Sequence, residues 1–183
     1  MPATCPPIFT SASAASADVA RRLCVVAVVV ILAGGCSKEP ETQAFGTAFP
    51  EPARGLSFVA GGRCNLDFVT GAPIERGWRA DSAKPIKFSG WALEDVAKPA
   101  SEWVVVELAA PGDRARYFVV TTFRSPRTDL APGLGDGPGV GNAAFELIAR
   151  ADRLPRGRYA VRILMRGGTG GLICESNRMV ELM

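Results

Sequence analysis

Trp103-Val-Val-Val-Glu-Leu108, then Pro111-Gly-Asp113, then Tyr117-Phe-Val-Val-Thr-Thr-Phe123 is the stretch on which the fold turns. Both runs are rich in β-branched and aromatic side chains, which suit a pleated, half-buried surface. Pro-Gly-Asp between them supplies turn chemistry. A connection that short predicts an antiparallel hairpin.

The same pattern repeats on either side of this hairpin. Cys64-Asn-Leu-Asp-Phe-Val69 alternates, with Cys64, Leu66 and Phe68 expected on one face, and Gly71-Ala-Pro73 ends it. Pro85-Ile-Lys-Phe-Ser-Gly-Trp91 places Ile86 and Phe88 together. Phe145-Glu-Leu-Ile-Ala149 is a further short strand. Tyr159-Ala-Val-Arg-Ile-Leu-Met165 puts Tyr159, Val161, Ile163 and Met165 on one face, and Leu172-Ile-Cys-Glu175 opens the last strand after a glycine-rich turn. Helical periodicity is absent over any useful length. About seven strands behind one another predict an all-β, two-sheet sandwich over residues 56–183. Residues 130–142 carry Gly133, Gly135, Gly137, Pro138, Gly139 and Gly141, and read as a long rim loop, mobile or ligand-binding.

Composition narrows the chemistry. The 183 residues contain no histidine, so Ser-His-Asp and Cys-His catalytic sets, histidine metal ligands and an imidazole pH switch are excluded. A net charge of +3, from 21 basic and 18 acidic residues, is too small to argue for nucleic acid. The glycine loop never reaches a G-x-G-x-x-G register and no Gly-Lys-Ser/Thr follows, so no nucleotide is expected. The carboxylates, among them Asp67, Asp81, Glu94, Asp95, Glu107, Asp129, Asp136 and Glu146, are scattered and match no calcium loop. Nothing points to a metal or other cofactor.

Residues 23–33, Leu-Cys-Val-Val-Ala-Val-Val-Val-Ile-Leu-Ala, follow Arg21-Arg22 and precede Gly34-Gly35-Cys36. The run is too short to span a bilayer. Basic residues, an apolar core and small residues form a secretory signal. This segment resembles the signal peptide of bacterial lipoproteins, with Ala33 where that family usually has leucine. The resemblance implies cleavage after Gly35 and a diacylglyceryl thioether on Cys36; Ser37 in second place implies the outer membrane, with the domain facing the periplasm. The alternatives are a plain secretory signal or a buried helix. Residues 1–20, with Pro2, Pro6 and Pro7, suit a leader poorly, and Val19-Ala20-Arg21-Arg22 suffices as one, which places translation start at Val19.

Domain organisation follows: residues 1–35 as signal, residues 36–55 as lipidated Cys36 and a disordered tether rich in proline and glutamate, and residues 56–183 as the sandwich. Of five cysteines, Cys5 and Cys24 fall in the leader and Cys36 takes the lipid. Cys64 and Cys174 remain, an even pair in an oxidising compartment, and are expected to form a disulfide, the alternative being two buried thiols.

Among the aromatics, Trp91 and Trp103 lie in apolar strands and are expected in the core. Trp78, beside Arg76 and Arg79, is the candidate for an exposed ligand contact. Gly90-Trp91-Ala92, acidic Glu94-Asp95, Arg127-Thr-Asp129-Leu-Ala131, Phe145 and Leu154-Pro-Arg-Gly-Arg-Tyr159 together resemble a group of bacterial envelope Ig-like β-sandwich modules. In that group these motifs recur between two terminal cysteines, and some members are fused to membrane proteins of surface-glycan metabolism. The resemblance spans about 64–182 and implies an Ig-like sandwich with a Cys64–Cys174 bridge. Arg127 and Asp129, one strand step apart, suit a structural clamp that pins the loop to the sheet.

These observations lead to an expectation of a non-catalytic, lipid-anchored interaction module whose partner is an envelope protein or a surface glycan. The rival readings are a glycan-active enzyme with paired carboxylates and a spacer between membrane and wall, the 19-residue tether reaching at most roughly 65 Å.

Overall fold

The computed structural model describes residues 41–183. The signal segment, the Val19 start and Cys36 lie outside the described residues. The chain forms β1 (Thr42–Ala44), β2 (Phe58–Ala60), β3 (Arg63–Val69), β4 (Ala72–Ile74), β5 (Gly77–Ala80) and β6 (Ile86–Leu93). It continues through β7 (Val104–Ala109), β8 (Arg116–Thr121), β9 (Arg124–Ser125) and a four-residue helix, Ala131–Leu134, to β10 (Ala144–Arg150), β11 (Gly157–Gly167) and β12 (Gly170–Leu182). The seven longer strands are the seven expected from alternation.

Two sheets face each other. The first runs β1-β10-β6-β3, with β9 also on the β1 side of β10; the second runs β4-β5-β12-β11-β7-β8, with β2 alongside β12. With β3, β6, β7, β8, β10, β11 and β12 as A, B, C, C′, E, F and G, this is the immunoglobulin order, A-B-E against G-F-C-C′. Tyr159 turns the E–F corner: its hydroxyl donates to the Pro155 carbonyl at 2.6 Å, four residues upstream, the tyrosine corner of such sandwiches. Between the sheets lie Leu66, Ile86, Phe88, Val104, Val106, Phe145, Val161, Ile163 and Met165, all buried. Each sits at the alternate position its strand's pleat directs inward.

Cys64 on β3 and Cys174 on β12 form a disulfide, with Cα atoms 6.1 Å apart and a sequence separation of 110. The bridge joins strands A and G across the two sheets. Closing a loop of this length is worth about 4.7 kcal/mol in the chain-entropy model.

Three sequence expectations change. Phe68 does not share the inner face with Cys64 and Leu66. The β3–β6 register slips between Leu66 and Phe68, so one extra residue reverses the alternation: Val69 is buried and Phe68 is 46% exposed. Trp91 faces outward from the first sheet and is half-buried, whereas Trp103 is buried on the outer side of the second sheet.

The third change is the largest. Residues 42–55, expected within a disordered tether, belong to the sandwich. β1 pairs in parallel with Ile148–Arg150 of β10. Gly46 then crosses to the other sheet, exchanging two backbone hydrogen bonds with Phe118 of β8 at 2.8 and 3.0 Å. Phe49 stacks on Phe58 and Phe118, with centroids at 5.4 and 4.4 Å. With Ala53 and Leu56 it covers Trp103, Val105 and Leu164 on the outer face of the second sheet. The physical reason is that β7 is buried at every position. A strand apolar on both faces cannot stand at a water-facing surface, and this strap keeps it dry.

Candidate interaction groove

The residues that the sequence singles out are mostly engaged in packing. Trp78 on β5 is half-buried and packs against the central core, so most of its ring is not free for a ligand. The glycine loop is pinned as well. Leu130, Leu134 and Val140 pack with Leu93, Ala143 and Trp91 over the outer face of the first sheet. The Gly139 N–H donates to the Val96 carbonyl at 3.0 Å, and a Cβ at Gly139 would collide with the Asp95 carbonyl. The glycines there serve close backbone approach.

Arg127 and Asp129 do come together, with a third partner. The guanidinium donates Nε and Nη2 to the two Asp129 carboxylate oxygens, each at 2.8 Å, and Nη1 to Asp67 on β3 at 2.5 Å. The bulge that displaces Phe68 includes Asp67 and re-aims it toward this arginine. Hydrogen bonding to Asp129, and then to Asp67, raises the Arg127 pKa, and the same bond holds the Asp129 carboxyl below its ordinary range. All three donor directions of the fork are occupied, so the group fastens the rim loop to strand A. The other motif residues are structural too: a Cβ on Gly90 would strike the Asn65 carbonyl and crowd the Phe145 ring.

Besides an open concavity of about 530 Å³ lined by Leu56 and residues 167–172, a groove lies between the strap and the β8 edge. It encloses about 550 Å³ and is lined by Thr47, Ala48 and Phe49 on one side and residues 113–118 on the other. One lining residue, Arg116, is held by a buried carboxylate behind it. Glu107 on β7 is fully buried and receives both Nε and Nη2 of Arg116, the latter at 2.9 Å. Arg162 on β11 approaches Glu107 at 3.5 Å and bonds Asp113 and Glu175, each at 2.8 Å. The bond to Glu107 raises the Arg116 pKa. Losing Arg116 would strip the fully buried Glu107 of its two-pronged partner, so the pair holds Arg116 in place. Its guanidinium lies 5.7 and 5.3 Å from the Phe49 and Phe118 ring centroids, adding cation–π attraction. The groove is therefore walled by Phe49, Tyr117, Phe118, Arg114 and Arg116, the residue types that anchor interfaces.

The backbone contributes as well. β8 is the edge strand of its sheet. Since Phe118 turns its N–H and C=O outward to Gly46, alternation turns those of Arg116 outward too, two residues along the same edge. Sequence reasoning missed this groove because its two walls, residues 47–49 and 113–118, are far apart in the chain. The available signal was the lone Glu107 inside an apolar run.

A smaller cavity of about 290 Å³ includes two carboxylates, Glu94 and Glu102, with Ser101, Trp103 and Arg166. Glu94 accepts from Lys98 Nζ at 2.6 Å, which holds its carboxyl below the ordinary range. A glycosidic general acid needs the opposite shift. Among the described residues no three cysteine or carboxylate side chains gather as a metal-ligand group.

Among the described residues one buried cation lacks a carboxylate partner. Arg124 donates Nη2 to the Ala92 carbonyl at 2.7 Å, but its Nε and Nη1 are buried with no partner among the described residues. Burial pulls its pKa down to about 10.

No family model, no curated protein and no solved structure matches this chain.

Two stability measurements check this description. Arg127→Ala is expected to cost about 1 kcal/mol and lower Tm by about 4 °C, with Arg127→Lys restoring little because the fork geometry is lost. An unchanged Tm contradicts the clamp. Arg124→Met is expected to stabilise the fold on the order of 2 kcal/mol at neutral pH, because the buried charge is removed. The folded state prefers the neutral guanidine more than the unfolded state does. The protonated form therefore costs stability below about pH 10, and that cost fades as pH rises toward the ordinary arginine value. The gap between variant and parent should narrow above pH 10; a variant less stable at every pH contradicts the assignment.

Proposed function

We propose that this chain is an outer-membrane-anchored lipoprotein, held through a lipid on Cys36, whose Ig-like domain is a non-catalytic interaction module. Its groove receives an extended segment of an envelope protein. The supporting observation is the combination at the β8 edge of outward-facing backbone groups at Arg116 with aromatic and arginine walls. A sheet edge gives an extended peptide main-chain hydrogen bonds, and flanking pockets read its side chains. The strap already uses this edge at Gly46 in the same manner.

The rival readings have less support. Two groups of carboxylates share an arginine, Asp67 and Asp129 on Arg127 and Glu107, Asp113 and Glu175 on Arg162, and Glu94, in the cavity with Glu102, is paired with Lys98. A surface glycan would favour an exposed aromatic platform, and Trp78 is half-buried. A membrane-to-wall spacer loses most of its reach once residues 42–55 fold onto the domain.

The test is crosslinked capture of the intact protein from its own membranes, compared with Cys36→Ala and with Ala48→Arg/Arg114→Glu, both exposed groove positions. A stoichiometric protein recovered with the parent is expected, with recovery falling at least about tenfold in the groove variant and placement lost in Cys36→Ala. Equal capture by the groove variant, or enriched sugar without protein, overturns the proposal.

A further inference from the structure

We infer that residues 126–142 form a lid that lifts from the outer face of the first sheet while the sandwich stays folded, pushed open by the buried charge of Arg124 and latched by Arg127. The inference depends on neither the anchoring nor the groove proposed above.

Arg124 and Arg127 flank the start of this segment and do opposite things. Arg124, on β9, has Nε and Nη1 buried with no partner among the described residues. Its one bond runs from Nη2 to a neutral acceptor, the Ala92 carbonyl. A guanidinium taken out of water with neither a carboxylate nor a full set of acceptors is costly to hold. The returning arm of the lid closes over this strand. Val140–Asn142 packs against Arg124–Ser125, and the Ala92 N–H donates to the Ala143 carbonyl, where the arm ends, at 2.9 Å. Lifting the arm returns the guanidinium to water, so the closed state alone bears the cost.

Little holds the lid down. Residues 126–142 add no strand to either sheet. Two polar ties reach the body of the domain: Arg127 Nη1 to Asp67 on β3, and the Gly139 N–H to the Val96 carbonyl. The Arg127 bonds to Asp129 lie within the lid, as does the bond from the Arg127 N–H to the Val140 carbonyl at 2.9 Å. They join the two arms and let the segment move as a unit. The apolar contact comes from Val140 with Leu130 and Leu134, both only half-buried, against Leu93, Trp91 and Val96. The central strands β7 and β11, by contrast, are laddered on both edges. A segment with few buried apolar contacts and few ties opens well below the free energy of global unfolding. Opening bares Trp91 and Leu93, so the lid controls access to that end of the sheet face.

Native-state hydrogen exchange of the full chain, in stepped low denaturant, tests this. The Gly139 amide and the Arg124 Nε–H report the lid, and the β7 amides report the sandwich. In the parent both lid protons should exchange at least about a hundredfold faster than β7 amides of equal intrinsic rate, with little dependence on denaturant. Arg124→Met should slow the Gly139 amide about tenfold, because the closed lid no longer hides a charge. Arg127→Ala should speed it about fivefold, because the latch is gone. A Gly139 amide that exchanges only with β7, with the same denaturant dependence, overturns the inference. So does Gly139 exchange left unchanged by Arg124→Met while that variant melts higher, since opening then does not wet Arg124. If Arg124→Met fails to fold, the parent series and Arg127→Ala decide: unchanged Gly139 exchange in Arg127→Ala removes the latch and the inference with it.

Discussion

Part of the second sheet, around Val105 of β7 and Leu164 of β11, is apolar on its outer face as well as its inner one, and the rest of the architecture follows from keeping that outer patch dry. Trp103, Val105, Phe118 and Leu164 point away from the central core. Left open, they would form a continuous greasy patch on the molecular surface. The strap from Phe45 to Phe58 solves this by crossing from one sheet to the other. In doing so it closes part of the β8 edge at Gly46, makes one wall of the groove with Phe49, and leaves few residues between the domain and Cys36.

The other outer face has a parallel solution. On the first sheet the glycine loop lies over Leu93 and Trp91, and the Arg127 fork fastens that loop to β3. Both covers are irregular segments held by a few polar fasteners. The buried Glu107–Arg116 pair is the fastener beside the strap. Such a pair is weak evidence of net stabilisation, but it fixes geometry strongly, because removing Arg116 leaves the Glu107 carboxylate buried without its two-pronged partner. It is that fixed geometry, with Arg116 held against Phe49 and Phe118, that gives the groove a preformed wall and so supports a binding role.

Much of the core was legible in the sequence. The alternation in β6 and β11 identified the inward residues correctly, and simple cysteine arithmetic identified the bridge. The Arg127–Asp129 pair was legible from spacing, though its link to Asp67, sixty residues away, was not. Three features were hidden for physical reasons. A single extra residue in β3 reverses which side Phe68 faces, and nothing local marks the bulge. The strands β1, β2, β4, β5 and β9 are two to four residues long, too short to show a period. The strap was obscured by Pro40, Pro50 and Pro52 and its glutamates, which read as linker, although Phe45, Phe49, Leu56 and Phe58 were there to be buried. The unbroken Val104-Val-Val106 beside Trp103 held the clue. A strand with no polar face needs cover on both sides.

The central claim is that the strap is an integral part of the sandwich. The Phe118 N–H faces the sheet edge, and its partner is the Gly46 carbonyl at 2.8 Å; without the strap it would meet water. Native-state hydrogen exchange of the Phe118 and Gly46 amides tests this most directly. The account predicts protection approaching that of amides in the central strand β7, lost only with global unfolding. Exchange at the rate of an open loop, with β7 still protected, would show that the strap detaches on its own and would contradict it.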